Sequence, residues 1–257
     1  MAKLGFTLYG QGKEKVVVYN DWMGDCSSWL PTQPFLDTDT FTYAFIDVRG
    51  YGRSLHLQGE YTAKEIVADT LELLETLGWD TFHVIGFSMT GIVTHRMAID
   101  IPERIKSSVA IGAVSAECFK MPDEFKQLVI DSITNDDKAI ELFNIAFGKR
   151  LSSQWQQFKW RESRQTRTPA AARGYLEMFT AQDFSYELER ISLPFLIVCG
   201  KYDLEEERID AQKQRFNQWH DNIEFVEIES GHYPMQETPV ILQTVMESFM
   251  KKHIDSI

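Results

Sequence analysis

The sequence predicts an α/β fold, a doubly wound and mostly parallel sheet with an inserted helical cap subdomain, and three observations carry that prediction. Short apolar runs recur along the 257 residues, several of them apolar at nearly every position, the pattern of strands covered by helices on both faces. Helix-length segments separate these runs, which favours crossover connections between parallel strands. One stretch, from about residue 115 to 185, carries helical pattern alone.

The strands are expected at "KVVVYN" (15–20), "TYAFIDV" (42–48), "FHVIGF" (82–87), "SVAIGA" (108–113), "FLIVCG" (195–200) and "IEFVEIE" (223–229). Between the second and third, "TAKEIVADTLELLETLG" (62–78) spaces its apolar residues as a helix does. Thr62 is its N-cap, with Glu65 three residues on, and Gly78 its C-cap. The strandless stretch contains "DEFKQLVIDSI", "DKAIELFNIAFGKRL", "SQWQQFKWRES" and "AAARGYLEMFT". About seventy residues of helix exceed what one crossover needs. The division that follows is a core over 1–114, a helical cap over 115–185 and a second core portion over 186–257. Ligands of open parallel sheets sit outside the carboxyl ends of the strands, so a cap there would close an apolar pocket.

Composition narrows the partners. Net charge is −12, from 38 acidic against 26 basic residues, which repels phosphate backbones and argues against nucleic acid. No run approaches the roughly 18 apolar residues of a membrane span. The opening "MAKLGFTLYGQGKEK" lacks the apolar region of a secretory signal, so a cytoplasmic location is expected. The acidic run "EEE" at 205–207 reads as a solvated helix start. Cys26, Cys118 and Cys199 are odd in number and share no CxxC spacing, which argues against a disulfide framework or zinc site. No metal or cofactor is called for. A small-molecule substrate is the expected partner, and assembly into a homo-oligomer is left open.

Three short stretches carry the chemistry. In "VIGFSMTG" (84–91), Ser88 follows a strand and precedes a helix, a junction that exposes a hydroxyl on a strained turn. The same turn aims the backbone N–H of Met89 toward a reacting oxygen. Asp203, in "CGKYDL", ends another apolar strand. His232, in "SGHYPMQETP", follows the last one. The chain order serine, aspartate, histidine, each at a strand's carboxyl end, is that of a nucleophile with its orienting acid and base.

With these residues in place, the sequence resembles the α/β-hydrolase superfamily over almost its whole length, in the serine-nucleophile branch with a helical cap. "DVRGYGRS" (47–54) is similar to the family's D-x-R-G-x-G-x-S segment, with Asp47 and Arg49 as pairing groups. "GHYPMQETP" is similar to the region that bears the family's histidine. The resemblance implies Ser88 as nucleophile, Asp203 as acid and His232 as base. Two positions depart from it. Asn20-Asp21 stands where His-Gly is usual, so the implied oxyanion-hole donors are the N–H groups of Trp22 and Met89. Thr90 replaces the second glycine of G-x-S-x-G, and Gly91 follows one residue later.

The implied activity is hydrolysis of a small carboxylic ester, thioester or lactone through an acyl-enzyme. Serine at the elbow argues against the haloalkane dehalogenase and epoxide hydrolase branches, which use aspartate there. Hydrolysis of a carbon–carbon bond beside a ketone, cofactor-free oxygenation and low-turnover small-molecule binding remain as alternatives. Trp22, Trp29, Trp155 and Trp160 are candidates to line a pocket for an apolar or aromatic acyl group, alongside their role in packing. His83, His95 and Arg96 are assigned to strand packing and helix surface.

Overall fold

Strand β2 (Glu14–Val18) lies between β3 (Phe41–Asp47) and β4 (Phe82–Phe87), both parallel to it. The computed structural model describes residues 3–146 and 150–256. One seven-stranded sheet runs in the order β1-β3-β2-β4-β5-β6-β7. Its remaining members are β1 (Gly5–Gly10), β5 (Ile105–Ile111), β6 (Phe195–Gly200) and β7 (Ile223–Ile228). All neighbours are parallel except β1, which pairs antiparallel to β3. The chain runs from β2 to β3 on one side and then returns to β4 on the other. The carboxyl ends of β2 and β4 therefore flank a switch point, where such sheets form a crevice.

Alternate strand residues feed two cores. Val16 and Val18, with Tyr43, Phe45, Ile85 and Phe87, pack against the last helix; Val17, Ala44, Ile46 and Val84 face the opposite layer. Both faces being covered explains why these strands read as continuous apolar runs. Helix α1 (Ala63–Leu77) bridges β3 and β4; the Thr62 hydroxyl accepts the Glu65 N–H at 3.1 Å, and Gly78 closes it at φ +66°. Helix α2 (Gly91–Asp100) follows β4 directly.

Four helices, α3 (Asp123–Ser132), α4 (Asp136–Ala146), α5 (Ser153–Thr166) and α6 (Pro169–Ala181), stand between β5 and β6. Part of the helix expected at "DKAIELFNIAFGKRL", residues 147–149, lies outside the described residues. Helices α7 (Ile209–Phe216), α8 (Pro234–Glu237) and α9 (Pro239–Lys251) complete the chain. Among the described residues no helix is long and apolar enough to cross a membrane, and no group of three or more His, Cys, Asp or Glu could hold a metal.

The structure departs from the sequence reading in several places. β1 was not expected; at the sheet's edge it buries little and needs no apolar run. β5 begins at Ile105, because Ser107 is a buried partner of His83 (Oγ to Nδ1 2.7 Å) and not a loop residue. His95 and Arg96 are fully buried, not on a helix surface. His95 Nε2 meets His220 Nε2 at 3.0 Å, and Arg96 pairs with Asp100 and with Glu187. The acidic run 205–207 forms one 3-10 turn, in which Glu205 and Glu206 are exposed but Glu207 is buried.

Candidate active site

Ser88 sits at the end of β4 with φ +53°, a left-handed conformation that a side-chain-bearing residue adopts only when its surroundings impose it. Those surroundings are the close passage of α2 across β4. A Cβ on Gly86 would come within 2.6 Å of the Thr90 carbonyl oxygen, and one on Gly91 within 2.5 Å of the Ala113 Cβ. The glycine displaced to position 91 thus serves the tightest approach, between α2 and the end of β5. Thr90 is not merely accommodated. Its hydroxyl accepts the Phe87 N–H at 2.9 Å and donates to the Asn20 carbonyl at 2.8 Å, tying the turn after β4 to the loop after β2.

His232 follows β7 and Asp203 follows β6, so both arrive on the same sheet edge as Ser88. His232 Nε2 lies 3.0 Å from Ser88 Oγ, and its Nδ1 lies 3.0 and 2.9 Å from the two Asp203 carboxylate oxygens. The structure brings all three residues expected from the sequence into one hydrogen-bonded line. Gly112, at φ +46°, lets the backbone pass beside them: a Cβ there would lie 3.1 Å from Asp203 Oδ2 and 3.4 Å from the His232 ring. Glu237, the glutamate of "GHYPMQETP", accepts the N–H of Gly231 at 2.9 Å and of Tyr233 at 3.3 Å, clamping both neighbours of His232. Arg150 pairs with the same carboxylate at 2.7 Å.

Electrostatics favour a charged imidazole. Burial alone would lower the His232 pKa, but the carboxylates of Asp203, Glu207 and Asp21 outweigh it and push it up to about 9. Glu207 was missed by the sequence reading, since a third acid in an "EEE" run carries no local sign of burial. Gln212 donates to its carboxyl, Arg215 lies 3.7 Å away, and burial pushes its pKa up to about 8.

The loop after β2 is held from several sides. Asp21, 1% exposed, accepts the Met23 N–H at 3.1 Å and the Tyr233 hydroxyl. Both bonds engage Oδ2; Oδ1 has no hydrogen-bond partner among the described residues. The Trp22 carbonyl accepts from the Tyr51 hydroxyl at 2.7 Å and from Arg167 Nη1 at 2.8 Å, and its indole N–H donates to the Ala172 carbonyl at 2.7 Å. Neither partner cation nor phenol was foreseen. Asp47 and Arg49 each pair, though not with one another. Arg49 takes Asp69 through Nε at 2.6 Å and Nη2 at 2.7 Å, while Asp47 accepts the N–H groups of Cys26 and Arg53.

A cavity of about 80 Å³ opens beside Ser88 and His232. Asp21, Trp22 and Glu207 reach it, and its apolar wall includes Val114, Phe119, Phe125 and Phe179, largely from the stretch between β5 and β6. Of the four tryptophans expected there, only Trp22 lines it. Trp29 is buried against Phe45 and donates to the Tyr19 carbonyl at 3.2 Å. Trp155 packs edge-on against Tyr233, and Trp160 joins the core cluster on the α9 side. Met89 is buried in the opposite cluster.

Residues 19–239 match the family model for the alpha/beta hydrolase fold, and the chain belongs to that family. Among curated relatives it is 32% identical to a fluoroacetate dehalogenase of Burkholderia sp over 91 residues, 34% of this chain and 30% of that protein. The chain thus matches under a third of that relative's length. It is 24% identical to a pimeloyl-[acyl-carrier protein] methyl ester esterase of Aeromonas hydrophila subsp. hydrophila, over 76% of this chain and 79% of that one. Among solved structures, the enol-lactonase from Burkholderia xenovorans LB400 superposes with a TM-score of 0.82 at 21% identity, covering 96% of each chain.

Proposed function

We propose that this chain is a serine hydrolase that cleaves a small carboxylic ester, thioester or lactone through an acyl-enzyme on Ser88. The observation that carries the reading is the line Asp203–His232–Ser88, with the imidazole Nε2 3.0 Å from the hydroxyl. Ser88 Oγ attacks the substrate carbonyl while His232 Nε2 takes its proton. Asp203 fixes the tautomer and stabilises the imidazolium. The N–H groups of Trp22 and Met89 receive the oxyanion, each such donor being worth on the order of 3 kcal/mol. The imidazolium then protonates the departing alcohol or thiol, and water attacks the acyl-enzyme with His232 again as base. In a lactone the leaving oxygen stays tethered to the acyl group.

Helices α3–α6 act as a cap in this reading, since residues of that stretch wall the cavity. A cavity of about 80 Å³ suits a short acyl chain. Relatives named as a methyl ester esterase and an enol-lactonase agree with carbonyl hydrolysis.

Intact-mass labelling with a small fluorophosphonate tests the reading. One adduct is expected on the wild type and none on Ser88→Ala or His232→Ala. A folded wild type that takes no adduct rules out an activated Ser88.

A further inference from the structure

Ser88 and His232 share their cavity with two more ionisable side chains, Asp21 and Glu207, and no lysine or arginine appears among its described lining residues. Both acids are buried, 1% and 3% exposed, so bulk water does little to screen them. Asp21 has a specific shortfall. Tyr233 and the Met23 N–H both bond its Oδ2, and Oδ1 is a buried acceptor with no partner among the described residues. An orphaned carboxylate oxygen is costly to maintain and attracts any donor that reaches it. The cations nearest the loop are engaged elsewhere: Arg167 with the Trp22 carbonyl and ring, Lys159 with Glu162 and the face of Tyr233. Arg215, 3.7 Å from Glu207, also serves the Ala113 carbonyl and does not line the cavity.

We infer that this site selects its substrate by charge: it accepts esters whose acyl chain ends in an ammonium group most readily, neutral ones next, and turns away acyl chains that end in a carboxylate. The inference deepens the hydrolase reading and uses it only to choose the ligands. A carboxylate in the cavity would meet the Asp21 charge; the described lining holds no guanidinium or ammonium, and its one cation, the His232 imidazolium, is already paired with Asp203. An ammonium group would be drawn to that charge, and one that reaches Oδ1 supplies the donor this atom lacks. Two groups that face the cavity make it more negative from pH 7 to pH 9: the Glu207 carboxyl, pushed up to about 8, ionises, and His232, pushed up to about 9, loses part of its positive charge.

The experiment measures binding to the Ser88→Ala protein, which keeps the cavity's charges and removes turnover. Monomethyl succinate is compared with methyl succinamate, its neutral isostere, and β-alanine methyl ester with methyl butyrate. At pH 7 the succinate ester is expected to bind at least tenfold more weakly than the amide, and the β-alanine ester at least threefold more tightly than the butyrate. Adding Asp21→Asn should shrink both gaps to within about threefold. Should that variant misfold, pH gives a second reading on Ser88→Ala alone: the succinate–succinamate gap is expected to widen from pH 7 to pH 9. Equal affinities for that pair, or a gap that narrows as pH rises, overturn the inference. Fluorophosphonate labelling of the wild type separates the two failures. Labelling without charge order sinks the charge inference alone, whereas charge order without labelling leaves it standing and removes the hydrolase reading.

Discussion

Arg167 lays its guanidinium over the Trp22 indole, 4.1 Å from the ring centroid, and donates from Nη1 to the Trp22 carbonyl at 2.8 Å. Arg167 caps the end of α5, so a helix between β5 and β6 grips the loop that supplies an oxyanion donor in the proposed reaction. Tyr51 bonds the same carbonyl, and the next helix takes the indole N–H through Ala172. A cation stacked on a desolvated indole is worth about 2 kcal/mol, and a charge-assisted hydrogen bond adds a comparable amount.

Arg167→Met should therefore loosen the loop without touching Ser88 or His232. The expected result is a kcat about tenfold lower with KM within threefold, and a matching fall in the fluorophosphonate labelling rate, since an oxyanion donor acts chiefly in the transition state. Arg167→Lys keeps a donor and should recover part of the loss. A rise in KM alone would place Arg167 in substrate binding instead.

The proposed hydrolysis needs neutral His232, and the carboxylates around it outweigh burial and push its pKa up to about 9. The rate, followed as kcat/KM, should climb through neutral pH and level off only near that value. Asp21→Asn and Glu207→Gln each remove one contributor and should move the climb to lower pH. Stability runs the other way. Because the folded pKa is raised above the ordinary 6.5, protonated His232 contributes stability that is fully present below 6.5 and lost as pH rises through about 9. Kinetics and urea melts from pH 6 to 10 check both.

Much of this site was legible in the sequence because each key residue stands just past the end of a strand, and two of these strands, β4 and β6, are fully buried. Ser88, Asp203 and His232 follow β4, β6 and β7, and a parallel sheet puts those ends on one edge. What could not be read were groups whose burial depends on distant partners. Arg96 is buried by Glu187, 91 residues away, and His95 by His220, 125 away. Glu207 looks like its exposed neighbours until α7 brings Gln212 against it. Trp29 and Trp155 look equally suited to a pocket, and only the packing of Phe45 and Tyr233 decides otherwise.

Three buried histidines make the fold acid-sensitive. Burial lowers His83 to about 3 and His220 to about 4, and drives His95 well below its ordinary value. Each folded pKa is depressed below 6.5, so this contribution is complete above that pH and lost as pH falls toward 4 and 3. By pH 5 His83 and His220 should each cost about 2 kcal/mol relative to pH 7.5, with His95 acting in the same direction. Urea unfolding at the two pH values measures their sum less the gain from His232, whose raised pKa acts in the opposite direction. His220→Gln, which does not titrate, should flatten the dependence by about one histidine's share; an unchanged slope would show that the pair does not govern acid unfolding.

Thr90 tests whether its hydroxyl replaces what a glycine would have supplied at the elbow. It accepts the Phe87 N–H and donates to the Asn20 carbonyl, joining the Ser88 turn to the loop carrying Trp22. Thr90→Val keeps the shape and strips the hydroxyl, leaving a buried N–H and a buried carbonyl without that partner. The stability loss should be about 1–3 kcal/mol, the usual penalty for orphaning buried polar groups. Thr90→Ser keeps both bonds and should lose under about 1 kcal/mol, mostly for the missing methyl. Thr90→Gly restores the family's small residue but deletes both bonds and frees the turn, so it should be less stable than the serine variant and slower in kcat. Chemical unfolding beside steady-state kinetics on the three proteins decides the matter: a glycine variant as stable and as fast as wild type would mean that the hydroxyl's two bonds do not hold the elbow.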